Sequence, residues 1–264
     1  MQSLTFAALI ALFSACGQND TPSSSLSPYD NPNIYFSTAS SVSLEVAYEP
    51  GAEPYTGTGL GEGQLWDFSR QNIAALFVGR NSPVKVTVPM DLTQMTPIPV
   101  QGKTSWTAEE ILNFAVVNRK NHGSAGAGQF YVIFLNGYYN DGEPNQNVIG
   151  ARISGSSIIA IFKPVVTTSA IAESMDVAKY VEQSTLTHEM GHALGLVDLG
   201  ITLTSAHQDD AHPGHCTNPN CVMYYLNHEG GSGLGDLVKG FLASGNPVIF
   251  GSECLQDARS FKPS

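Results

Sequence analysis

The stretch HEMGHALGLVD, His188 to Asp198, constrains this chain more than any other. On a helix, residues four apart lie one above the other, so His188 and His192 share a face. Two imidazoles so placed can point at one cation, and Glu189, directly after the first, can reach a water held there. The stretch therefore demands a helix with a core behind it. Gly191 and Gly195 would each destabilise a helix interior by roughly 1 kcal/mol relative to alanine. Gly195 makes sense just beyond the helix end, where a left-handed turn needs no Cβ. The helix then stops, and the chain can return Asp198 toward the histidines as a third ligand.

The remaining sequence supplies enough material for such a core. At 264 residues with 42% hydrophobic content, a sizeable globular interior is available. Charged residues make up only 13% and the formal net charge is −11. That balance argues against nucleic acid and anionic membrane surfaces as partners, because both require basic patches, and it equally serves to keep an exported protein soluble. The N-terminus MQSLTFAALIALFSACG carries an apolar run, Leu4 to Phe13, too short to span a bilayer and typical of an export signal. Ser14-Ala15-Cys16 resembles the lipobox of bacterial lipoproteins, although Phe13 stands where leucine is usual and no Lys or Arg precedes the run. The resemblance implies a signal peptide over 1–16, lipidation of Cys16, and a membrane-anchored protein of the bacterial cell envelope, periplasmic or at the surface. Ordinary secretion is the alternative. Residues 17–32, rich in Pro and Ser, read as a flexible tether, and 33–264 as one domain.

Periodicity outlines that domain. SLEVAY (Ser43 to Tyr48) and VKVTV (Val84 to Val88) alternate as strands, and Trp66 to Val78 has helical spacing. Thr107 and Glu110 form a capping-box pattern opening a helix to about Lys120. QFYVIFL (Gln129 to Leu135) and SIIAIF (Ser157 to Phe162) read as strands, with a turn-rich excursion, Gly137 to Asn147, between them. A helical pattern from Asp176 runs into His188, and little is periodic after Gly195 until Gly235 to Leu242. The expected fold is α+β: a mixed sheet with helices, a long helix carrying the histidines, and an irregular C-terminal part.

HEMGHALGLVD resembles the elongated zinc motif of the metzincin clan of metalloproteases, with aspartate at the last position as in snapalysins. Downstream, His215-Cys216, four residues, then Cys221-Val222-Met223 is similar to a run found in archaemetzincins. The resemblance implies a twisted sheet, an active-site helix and a Met-turn at Met223 beneath the metal ligands. It implies Zn²⁺ as cofactor, held by His188, His192 and Asp198. The stretch is also similar to bacterial membrane-associated metalloproteases, in which the histidine of an H-x-D is typical, and that makes His207 the alternative third ligand. His212 and His215 then read as surface groups or supports of the ligands. Glu189 would be the general base of a zinc endopeptidase acting on protein or peptide substrates, and Tyr225 a candidate for stabilising the oxyanion. Cys216 and Cys221 bracket Thr-Asn-Pro-Asn, a natural turn, so a small disulfide is expected. Archaemetzincins place a second zinc on such cysteines with a later C-x-x-C. Here Cys254 is present and Gly251 stands at the other place, leaving a Cys3His site with His215 or His212 open. A gluzincin reading would need Glu229, and an aspzincin reading Asp209 or Asp210 with the elongated motif ignored. The chain is expected to be a monomer, and the rival from another class is a non-catalytic zinc-containing lipoprotein serving as a binding or adhesion module. The presence of Glu189 argues against it, since a structural site needs no base.

Overall fold

The computed structural model describes residues 33–59, 62–80, 82–168, 174–227 and 232–262. The expected signal peptide, Cys16 and the tether lie outside the described residues. In chain order the elements are β1 (Ser41–Tyr48), α1 (Asp67–Leu76), β2 (Lys85–Thr87), β3 (Thr96–Pro97), β4 (Ser105–Trp106), α2 (Ala108–Asn118) and β5 (Ala127–Leu135). They continue with β6 (Tyr138–Asn140), β7 (Pro144–Asn145), β8 (Gly150–Arg152), β9 (Ile158–Phe162), α3 (Lys163–Thr168), α4 (Met175–Ala193), α5 (Ser232–Ser244) and α6 (Ser252–Ser260).

The main sheet runs β2-β1-β5-β9-β8, with β3 pairing the end of β1. β2, β3, β1, β5 and β9 pair in parallel, whereas β8 is antiparallel to β9 and forms an edge. The strands advertise their depth. β5 and β9 are nearly continuous apolar runs and are buried on both faces, as parallel strands between two layers must be. β1, nearer one side, alternates. The turn-rich excursion is a small second sheet, in which β6 pairs with β7 as a hairpin and with β4, seating Trp106 in the core. The capping box of α2 forms as expected: the Thr107 hydroxyl accepts from Glu110 N at 3.2 Å, and the Glu110 carboxylate accepts from Thr107 N at 2.9 Å.

α4 is enclosed by the rest of the fold, and nearly every residue from Val177 to Ala193 is buried. Its N-terminus is capped by Ser174, whose hydroxyl accepts from Val177 N. Many of its enclosed side chains are polar, so each needs a partner. Gln183 Oε1 accepts from Ser69 of α1 at 2.7 Å. Glu182 forms an ion pair with Lys163 of α3 and also accepts from Tyr55 N at 2.7 Å. The Lys163 ammonium sits 3.3 Å from the centroid of the Tyr55 ring. Burial pushes the Glu182 carboxyl up and the Lys163 ammonium down, and each is opposed by its partner's charge. These bonds fix α4 in rotation, which decides where its histidines point.

The helix ends where Gly195 predicts. Gly195 has φ 86°, its N–H donates to His192 O, and Leu196 N donates to Gly191 O. This pair of bonds is a Schellman closure. Beyond it the chain is irregular until α5, and α6 follows as a further C-terminal helix that the sequence pattern did not disclose. No helix among the described residues is long and apolar enough to cross a membrane.

Candidate metal centre

His188, His192 and His215 are all buried, and each offers a ring nitrogen within 4.8 Å of the others. The three rings converge, with centroids 4.5 Å apart for His188 and His192, 4.9 Å for His192 and His215, and 5.3 Å for His188 and His215. The tautomers of His188 and His215 are set from behind. His188 Nδ1 lies 2.6 Å from the carbonyl of Val222, so it carries the proton and leaves Nε2 as a lone pair facing the cluster. His192 Nε2 stands 2.9 Å from His188 Nε2. Two ring nitrogens this close must share a proton or a cation. His215 Nδ1 approaches His212 O at 3.3 Å, which again directs Nε2 inward. Three converging imidazoles, two of them backed by carbonyls, are a donor set suited to zinc or another borderline divalent cation.

Glycine makes the approach of Met223 possible. A Cβ on Gly191 would lie 2.4 Å from Met223 Sδ, so only glycine lets Met223 press against the helix under the histidines. The residue that weakens the helix is thus the one that admits its support. Gly150 does the same at the sheet edge, where a Cβ would come within 2.6 Å of Thr185 Cγ2 and 3.2 Å of Glu189 Cγ. Glu189 is buried, and its Oε2 accepts from Arg152 N of β8 at 2.8 Å. The carboxylate next to the first histidine is therefore held by a backbone amide of the edge strand.

The third member of the histidine group is neither of the residues expected from the sequence. Asp198 is exposed and does not join the histidine group. After Gly195 the chain turns through two further left-handed residues, Val197 at φ 53° and Asp198 at φ 64°, with Leu196 and Val197 buried. The two apolar side chains take the inward positions and the carboxylate is left outside. His207 belongs to a different cluster, with Cys216 and Cys254. His215 fills the place instead, and the sequence reading left it among the supporting groups. One signal could have found it: His215 heads the His-Cys run that ends in Met223, so fixing Met223 beneath the site brings His215 along. Tyr225 stacks on His212, with centroids 3.7 Å apart and rings 2° from parallel. His212 Nδ1 is 2.9 Å from Asp209 Oδ2. Beyond Tyr224, a cavity of about 480 Å³ opens between α5 and the segment around Ile249.

The expected Cys216–Cys221 disulfide is not formed, and no disulfide occurs among the described residues. Cys221 Sγ faces Cys254 Sγ at 3.6 Å, and Cys216 Sγ faces His207 Nδ1 at 3.3 Å. The turn between the cysteines is present, and it brings both sulfurs together with that of Cys254 on α6, all three as free thiols.

No family model and no curated protein matches the chain, so the site has to be read from its own residues.

Proposed function

We propose that this protein is a zinc-dependent endopeptidase of metzincin-like construction, exported and membrane-anchored through Cys16. The observation that carries the reading is the junction of three inward-facing imidazoles with a buried carboxylate, Glu189, next to the first of them. A structural site closes its coordination with four protein ligands, whereas three histidines leave a position open. A zinc ion held by His188, His192 and His215 would supply Lewis acidity and draw the pKa of a water ligand toward neutrality. Glu189 then takes the proton from the attacking water and passes it to the leaving amine. The Arg152 amide on Glu189 Oε2 fixes the carboxylate during both transfers.

The purified chain is tested on a denatured protein substrate with and without chelator, alongside Glu189→Ala, His215→Ala and Asp198→Ala. Chelation and Glu189→Ala are expected to abolish cleavage, the latter with zinc retained. His215→Ala should lose zinc, and Asp198→Ala should keep it. Equal behaviour of wild type and Glu189→Ala, both zinc-loaded, would leave a non-catalytic zinc module as the surviving reading.

A further inference from the structure

A cavity of about 500 Å³, lined by none of the residues assigned to the hydrolysis, is enclosed by three segments. They are the stretch Tyr35 to Ser40 before β1, the loop between α1 and β2 around Arg80, and the end of α6 with the residues after it. Its charged residues are Arg80, Arg259 and Lys262, and no Asp or Glu lines it. The chain carries 23 acidic residues against 12 basic ones, so a cavity lined by cations alone runs against the composition. None of the three cations forms an ion pair among the described residues. A cleft lined by one sign of charge focuses its field and concentrates ions of the opposite sign.

Arg80 is the fixed member of the set. Its Nη1 donates to Phe36 O at 3.1 Å and to Phe261 O at 2.8 Å, and its Nη2 donates to Ala258 O. The guanidinium also lies over the Phe36 ring, 4.8 Å from the centroid. Carbonyls hold the group in place without cancelling its charge, and burial disfavours that charge. Nε is buried and has no acceptor among the described residues. A planar guanidinium with donors to spare suits the paired oxygens of an oxyanion, phosphate above all. Arg259 and Lys262 are exposed, so their longer side chains can close over a ligand that Arg80 has seated. The exposed hydroxyls of Thr38 and Ser82 line the same cavity and add donors, whereas Phe36, Phe261 and Val84 give it an apolar wall.

We propose that this cavity binds the phosphate group of an anionic ester, held by Arg80, Arg259 and Lys262. The source nearest to hand is a lipid headgroup. Tyr35 to Ser40 follow closely on residues 17–32, which read from the sequence as a tether from lipidated Cys16. The cavity therefore lies beside the point where that tether joins the domain. A phosphodiester headgroup brings one negative phosphate for the cations and a glycerol for the hydroxyls and the apolar wall. The net charge of −11 opposes adsorption to a broad anionic surface, whereas one headgroup in an enclosed cavity needs only local positive charge. Three segments build the site, so a lipid seated there would fix how the domain is turned toward the membrane. The headgroup as source rests on membrane anchoring through Cys16, and the phosphate site does not.

The test is calorimetric titration of the purified full chain with inorganic phosphate, glycerol phosphate and dihexanoyl phosphatidylglycerol, the lipid kept below its micelle concentration. Dihexanoyl phosphatidylcholine, whose ammonium offsets the phosphate charge, is the control. Wild type is expected to bind one phosphatidylglycerol per chain, with phosphatidylcholine at least about 5-fold weaker. Arg259→Glu/Lys262→Glu alters only exposed side chains and should weaken binding by about 10-fold or more, while the ligand-free chain unfolds at or above the wild-type midpoint. Arg259→Lys/Lys262→Arg keeps both charges and should bind as wild type does. His192→Ala should bind phosphatidylglycerol undiminished, which separates this site from an ion on the histidines and from the protease reading. Inorganic phosphate that binds as tightly as the lipid, and is lost in the double glutamate variant, retains the phosphate site and overturns the headgroup as its source. No binding of any probe, or binding that survives the double glutamate variant or disappears in His192→Ala, overturns the site.

Discussion

Replacing Gly191 by alanine tests the packing that supports the histidine centre, because helix propensity and packing predict opposite signs. Propensity alone favours the change by about 1 kcal/mol in a helix interior. The structure places the new Cβ 2.4 Å from Met223 Sδ and 3.2 Å from both Met223 Cε and Phe250 Cε1. Ordinary carbon contacts settle at roughly 3.5–4.0 Å, so Met223 would have to retreat by more than about 1 Å. It has little room to do so, since Met223 is fully buried and Phe250 nearly so. Overpacking of this kind costs about 1–3 kcal/mol, and two obstructing neighbours put this case in the upper part of that range. The net expectation is a loss of about 1–2 kcal/mol, or a fall in unfolding midpoint of roughly 2–8 °C for a chain of this size. Urea and thermal unfolding of the chelator-treated chain measure it, with an unchanged urea slope as the control that only stability has moved. Displacing Met223 also shifts Val222 and hence the carbonyl bonded to His188, so zinc affinity should fall as well. Combining Gly191→Ala with Met223→Ala should destabilise less than the sum of the two, because the new methyl enters the space vacated. A variant unfolding at or above the wild-type midpoint with undiminished zinc affinity would refute the packing argument.

Two further perturbations probe the framework around the site. Lys163→Met strands the buried Glu182 carboxylate and should cost about 3–5 kcal/mol in urea unfolding, with part of the loss recovered in Lys163→Met/Glu182→Leu. A single-variant loss below about 1 kcal/mol would show that the pair does not hold α4. At the start of α2, the hydrogen bond from Lys103, followed by that from Thr107 N, holds the Glu110 carboxyl below its ordinary value of 4.5. The stability it lends is therefore fully present above pH 4.5 and lost as pH falls through the lower folded-state value. Glu110→Gln should flatten that acid limb of the unfolding curve, and an unchanged limb would remove the assignment.

The parts of the fold legible in the sequence are those fixed by neighbouring residues. The Thr107–Glu110 box, the apolar runs of β5 and β9, and the stop of α4 at Gly195 each depend on local spacing. β8 was not legible, because three residues carry no period and their pairing is set by β9. α6 escaped for a similar reason: its inward residues, Cys254, Asp257 and Ala258, include only one apolar aliphatic side chain. At the site, two histidines and the glutamate followed from helical geometry. The third histidine of the group did not, because spacing alone cannot weigh the burial of Leu196 and Val197 against a carboxylate at position 198. His207 looked like a ligand and lies in a ligand cluster, but the sequence gives no means of telling which of two adjoining clusters a loop histidine joins.

The enclosure of α4 gives the histidine centre two unequal sides. Amide protons along Thr187 to His192 lie in a helix packed all round, so their exchange with solvent should require near-global opening of the domain. His215 sits instead on irregular chain, held by turn bonds such as His215 N to His212 O, and segments of that kind open locally at much lower free energy. A bound ion would thus leave through the His215 side while His188 and His192 stay in place. The rate of metal exchange would then report the breathing of one loop, separately from the stability of the fold.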